Sequence, residues 1–314
     1  MPDMMNLVLE PLSYAFMIRG LIAALTVGVV CAVLGCYIVL RGMAFFGDAI
    51  AHAILPGVAI GYLLGGVSQP WLTLIGGLAA GIVCAVGIGA ISRTGLKEDT
   101  AIGVIFAGMF ALGIALISSV RSYTVDLTHF LFGNVLGVAN SDLWLSGGFG
   151  GVVILTILLF YKELMVISFD PILAKTLRLP TTFLNYLLLM LIAITIVLSL
   201  QTVGLALMTA MLITPAATAY LLTRRLPLMM VLSAGTGAIS AVTGLYLSFY
   251  VNIASGPAIV LVCTFLFLLA FVFSPHKGLI KQKSSQNEQQ SHTKQQRSRL
   301  SEAEPQPISN PDPR

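Results

Sequence analysis

Residues 41–64 read RGMAFFGDAIAHAILPGVAIGYLL. The stretch is apolar or small almost throughout, yet it holds an aspartate and a histidine four residues apart, and a proline follows at the same interval. On an α-helix Asp48, His52 and Pro56 stand at i, i+4 and i+8 and share roughly one face. Pro56 has no N–H, so the His52 carbonyl is expected to lose its helical partner. A carboxylate, an imidazole and a loosened carbonyl would then line one stripe. Insertion scales put a charged Asp at a bilayer centre at about 2.5–3.5 kcal/mol, so ionisable groups there call for a functional reading. Two plainer uses compete with it. An aspartate near a helix start also serves as a cap, and a histidine on a membrane helix also serves as a donor to a neighbouring helix.

Composition places this stretch in a membrane. Of 314 residues 57% are hydrophobic and only 10% are charged, and the mean hydropathy is +0.94. Soluble domains carry about 25% charged residues, so the chain reads as an all-α integral membrane protein. Cys31, Cys36, Cys84 and Cys263 all fall in apolar runs and are expected to be small buried residues, not a disulfide framework or a zinc site. The first residues include Asp3 and Glu10 but no basic segment, so they do not read as a cleaved leader.

A spanning helix takes about 17–25 mostly apolar residues. That ruler yields nine candidates, near 14–40, 49–65, 71–92, 100–120, 142–161, 184–201, 202–222, 228–251 and 257–274. The junction near Gln201 to Gly204 is the weakest divider, so eight to ten spans stay open. With nine, all of the 17 basic residues except Arg19 and Arg121 fall on one side. That side is expected to be cytoplasmic, with an external N-terminus. Residues 276–314 turn to Lys, Gln, Ser, Glu and Pro, a composition unable to bury enough surface to fold. The expected organisation is therefore an external segment 1–13, a membrane domain 14–275 and a disordered cytoplasmic tail 276–314. Glycine clusters at Gly76, Gly77 and Gly81 and at Gly147, Gly148, Gly150 and Gly151 are expected to let helices approach closely. A faint echo joins ILPGVAIGYLL (54–64) to ITPAATAYLL (213–222), each with a proline in an apolar run.

A second informative stretch, SFDPILAKTLRLPTT (168–182), lies between the fifth and sixth spans. Asp170 suits an N-cap and Pro171 the first helical position. Ile172, Leu173, Thr176, Leu177 and Leu179 form an apolar side, Lys175 and Arg178 suit the C-terminal end, and Pro180 stops the helix. The pattern predicts a helix of two to three turns, too short to span. Resting on lipid and docking into a partner's groove both fit such a helix.

VLRGMAFFGDAIAHAILPGVAIGYLLG (39–65), FDPILAKTLRLP (169–180), ALMTAMLITPAATAYLLTRR (206–225) and SGPAIVLVCTFLFLLAFVFSP (255–275) together resemble the permease subunits of bacterial ABC importers for manganese, zinc and iron. The likeness runs from about Phe16 to Pro275. It implies a bundle like that of the cobalamin-type importers, in the bacterial plasma membrane, with a second permease copy or a related permease across a central pathway. Two cytoplasmic ATPase subunits and an extracellular metal-binding protein would complete the assembly. By the same resemblance Asp48 and His52 are the metal positions, and Asp170, Pro171, Leu173, Lys175, Leu177 and Arg178 belong to the coupling helix. The segment LTHFLFGNVLGV (127–138) resembles the external gate, in the version associated with manganese, and Asp126 and His129 are its polar members. Solvent exposure in a loop accounts for those two equally well.

The implied function is the pathway subunit of a divalent metal importer, manganese ahead of zinc or iron, with no resident cofactor. A G-x-x-x-x-G-K-[ST] phosphate loop is absent, as are HExxH and GxSxG signatures, so no enzyme activity is expected in this chain. Two rival readings compete with that function. A secondary transporter would use Asp48 as a proton or ion relay, which leaves the short helix at 171–179 without a task. An intramembrane metalloenzyme would want more ligands than one Asp and one His per chain.

Overall fold

A computed structural model describes residues 9–66, 69–118 and 135–274. From Ala15 onward the described residues form twelve α-helices and one 3-10 turn. In chain order the helices are α1 (Ala15–Arg41), α2 (Phe46–Ala53), α3 (Leu55–Gly65), α4 (Pro70–Ser92), α5 (Glu98–Ser118), α6 (Asn140–Leu159), α7 (Tyr161–Phe169), α8 (Pro171–Thr176), α9 (Thr181–Val203), α10 (Leu205–Leu222), α11 (Leu226–Val251) and α12 (Ser255–Phe273). Among the described residues nine helical stretches are long and apolar enough to cross a membrane, with α2 and α3 together making the second.

The doubtful junction is a real one. α9 ends at Val203 and α10 begins at Leu205, with Gly204 alone between them at φ 84° and ψ 168°. That backbone region is open in practice only to glycine, so a single residue divides two spans. Beyond the fifth expected span the chain continues as helix. Lys162 and Glu163 interrupt the apolar run there, yet the chain stays helical through α7 after a brief break at Phe160.

α1 and α9 form the centre: 67% of the most apolar window of each is buried, against 17% for α5 and 22% for α6. α1 packs along α10 and α11, and α3 along α4. Helices in lipid gain little from burying apolar area and associate through close packing, which small residues permit. Gly57 of α3 and Gly76 of α4 show this directly: a Cβ on Gly57 would lie 2.0 Å from the Gly76 carbonyl oxygen. Gly81 and Gly150 also face neighbouring side chains, but Gly147, Gly148 and Gly151 face nothing within 4 Å. The second expected glycine cluster is therefore mostly outward, on the exposed side of α6. All four cysteines are buried and free, as their apolar settings led one to expect. The two proline-bearing echoes part company: Pro215 sits inside an unbroken α10, whereas the chain breaks ahead of Pro56.

Candidate functional site

The site is set up by the turn that follows α1. Gly42 adopts φ 73°, its N–H donates to the Val39 carbonyl (3.2 Å), and the Met43 N–H donates to the Ile38 carbonyl (3.0 Å). This Schellman closure needs a left-handed residue, which glycine supplies without a Cβ penalty. Met43 and Phe46 then plug into the core, 1% and 0% exposed. They anchor the start of α2 and leave Asp48 and His52 on its other side.

Asp48 lies in the first turn of α2, but its side chain makes no cap hydrogen bond. It faces His52 instead, with Nε2 3.8 Å from Oδ1. That gap is too long for a hydrogen bond and leaves both groups with free lone pairs. The Asp48 side chain is 49% exposed and that of His52 27%, so the pair opens away from this chain's own bundle. Among the described residues no group of three or more His, Cys, Asp or Glu side chains comes together. Among the described residues one copy of the chain thus brings two potential donors together here.

Pro56 does not continue the stripe. α2 stops at Ala53, the Ile54 N–H donates to the Ile50 carbonyl (3.1 Å), and α3 restarts so that Pro56 occupies its first turn. In that position a missing N–H is no loss. Pro56 is buried and a Cβ on Gly113 of α5 would meet its ring nitrogen at 3.1 Å. The expected three-membered row is therefore a pair, with the proline turned inward.

Two residues enter that sequence reading missed. Phe106 and Phe110 on α5 stack on each other with centroids 5.6 Å apart, and the His52 ring meets Phe110 edge-on at 5.7 Å and Phe106 at 6.3 Å. Their i, i+4 spacing was visible, but nothing local says which helix they would face. They wall one side of the imidazole and limit the directions it can point.

The predicted short helix is present as α8. Asp170 Oδ1 accepts from the N–H groups of Ile172 (2.9 Å) and Leu173 (3.0 Å), and Pro171 takes the first position. The helix is shorter than expected, six residues instead of two to three turns. Arg178, at φ 55°, closes it in a Schellman turn, with the Leu179 N–H donating to the Ala174 carbonyl and the Arg178 N–H to the Lys175 carbonyl. Only Ala174 points inward. Lys175 and Arg178 are exposed, and so are Ile172 (78%), Leu173 (46%) and Leu177 (56%). Beside α8 lies an open cleft of about 450 Å³ lined by Met165, Phe169, Leu173, Arg224, Arg225 and Leu226. Asp126 and His129 lie outside the described residues.

Residues 13–274 match the ABC 3 transport family. The chain is 50% identical over 270 residues to the manganese transport system membrane protein MntC of Halalkalibacterium halodurans, spanning 86% of this chain and 91% of that one. It is 40% identical over 275 residues to the chelated iron transport system membrane protein YfeD of Yersinia pestis, spanning 87% and 91%. Among solved structures, PsaBC from Streptococcus pneumoniae in complex with Fab superposes with a TM-score of 0.76 at 40% identity, over 89% of this chain and 99% of that one.

Proposed function

The chain belongs to the ABC 3 transport family, and from that membership we propose that it is the membrane-spanning subunit of an ATP-driven divalent metal importer, carrying manganese first and iron second. The names of the relatives, manganese for MntC and iron for YfeD, support that order of cargo. The observation that carries the reading is the open Asp48–His52 face, which offers one oxygen and one nitrogen ligand and no third donor among the described residues. Two donors are too few for a divalent cation. A second copy related by a twofold axis would bring two carboxylates and two imidazoles around one point. Such a set suits manganese and iron, and also zinc, but lacks the thiolates of a tight structural zinc site. Moderate affinity is an asset here, because conduction needs a site that releases as readily as it binds.

The remaining parts follow from this reading. Residues 14–275 form one membrane unit in the bacterial plasma membrane, with residues 1–13 outside and 276–314 in the cytoplasm. α8 docks on a cytoplasmic ATPase subunit, one for each permease copy, and a metal-binding protein delivers cargo to the external side, where Asp126 and His129 would line the gate. The exposed leucines of α8 have no task in a secondary transporter that uses Asp48 as a relay.

Uptake of radioactive manganese and iron by a strain lacking the gene provides the test. The strain is complemented with the wild type, Asp48→Asn or His52→Ala at matched membrane levels. The wild type should restore uptake, and each variant should remove most of it without loss of folded protein. If His52→Ala imports manganese at the wild-type rate, the imidazole is structural and the site is misassigned.

A further inference from the structure

Arg41 ends α1, at the same end of the bundle as α8. An arginine in the last turn of a spanning helix ordinarily extends toward water and headgroups. This one folds inward, and its side chain is only 7% exposed. Nη1 donates to Asn185 Oδ1 in the first turns of α9 and lies 3.9 Å from Glu98 Oε1 at the start of α5. Nε donates to Ser168 Oγ (3.4 Å), two residues before the Asp170 cap of α8. Nη2 is buried without a partner, and so is the Tyr37 hydroxyl one turn earlier on α1. A buried guanidinium with a spare donor and a stretched ion pair has room for a second, tighter arrangement.

Two routes lead from this side chain to the metal pair. Along the chain, Gly42 turns into Met43 and Phe46, both locked in the core, and Asp48 follows two residues later. Through Glu98 the link enters α5, where Phe106 and Phe110 stand about 12 and 18 Å along the helix axis. Those are the rings that touch His52. Arg41 therefore touches the end of α7 that leads into α8 on one side and the start of α5, the helix that carries the rings beside His52, on the other.

We propose that Arg41 is the positioning residue linking the docking helix to the Asp48–His52 face, so that a partner seated on α8 acts on the metal ligands through Arg41 and Glu98. This rests on the importer reading above. The test uses the complete complex of permease, ATPase and binding protein in lipid bilayers, with manganese as the metal. ATP hydrolysis is measured with and without manganese-loaded binding protein, and the amount of assembled complex is measured alongside. Arg41→Lys keeps the charge but not the planar fork that reaches several partners at once. Glu98→Gln, at a site 34% exposed, is the second variant should Arg41→Lys fold poorly. Both are expected to assemble and hydrolyse ATP alone, while stimulation by loaded binding protein falls at least about fivefold, the lower bound of typical coupling between sites. Stimulation equal to wild type in either assembled variant overturns the link. Stimulation lost only in proportion to assembled complex also overturns it, since the role is then structural. A wild-type complex indifferent to manganese overturns the importer reading itself, whereas a responsive wild type with responsive variants overturns the link alone.

Discussion

His52 is placed by two kinds of contact, and they differ in what they can be asked to do. Its tie to Asp48 is local, one helical turn, and leaves both groups open at 3.8 Å. Its contact with Phe110 is tertiary, edge to face, across to α5. Aromatic pairs of this geometry contribute about 0.5–1.5 kcal/mol beyond the area they cover. Phe110→Ala should therefore lower metal uptake by about two- to tenfold through a less well-held imidazole, less than His52→Ala itself. Phe110→Leu, which keeps an apolar wall without the ring edge, should fall between. Initial uptake rates at matched membrane levels decide it, and a wild-type rate for Phe110→Ala would make the ring contact incidental. His52→Met, which replaces a borderline nitrogen by a soft thioether, should turn selectivity away from manganese in the same assay.

α8 illustrates how a six-residue helix holds its shape when it is too short to be stable alone. A carboxylate cap at Asp170, a proline at the first position and a left-handed closure at Arg178 satisfy its ends, and buried Ala174 sets it against the bundle. Isolated helix formation is not what these residues select; a fixed platform is. The platform presents Leu173 beside the cleft and Leu177 beyond it, both about half exposed. Leu173→Asp or Leu177→Asp should leave membrane insertion unchanged, because neither lies in a span. Each would bury an unpaired charge at the proposed docking surface and weaken it by about 2 kcal/mol or more, roughly thirtyfold, as at interface hot spots. Co-purification of the ATPase subunit with the permease reads this out directly. Full retention of both partner and transport would leave α8 as a helix resting on lipid.

At the scale of the whole molecule, nine candidate spans among the described residues, an odd number, would put the two termini on opposite sides, and the distribution of basic residues predicts an external N-terminus. On that topology Arg41, Arg93, Lys97, Lys162, Lys175, Arg178, Arg224 and Arg225 fall on one expected side, against Arg19 and Arg121 on the other. Even without the basic tail the asymmetry stands. A reporter active only in the cytoplasm, fused after Lys281, should be active, and the same reporter fused before Tyr14 should be silent. The reverse pattern would overturn the orientation. The single-residue break at Gly204 is what makes the span count odd, so this experiment also tests that break.

Hydropathy alone determined the spans of this protein, because a bilayer imposes length and composition on each helix independently of its neighbours. The Asp48–His52 pair was equally legible, since i and i+4 share a face in any α-helix, and so were the cap and proline that start α8. Only the tertiary structure decided which faces meet. In a soluble protein an apolar stripe marks the inward side of a helix, but here lipid-facing and core-facing positions are both apolar, so no such stripe exists to be read. That is why the inward turn of Pro56, the outward set of Gly147, Gly148 and Gly151, and the rings of Phe106 and Phe110 against His52 could not be foreseen. Arg41 is the sharpest instance. A terminal arginine reads as a topological marker from sequence, and only the packing of α5, α7 and α9 around it reveals a buried junction.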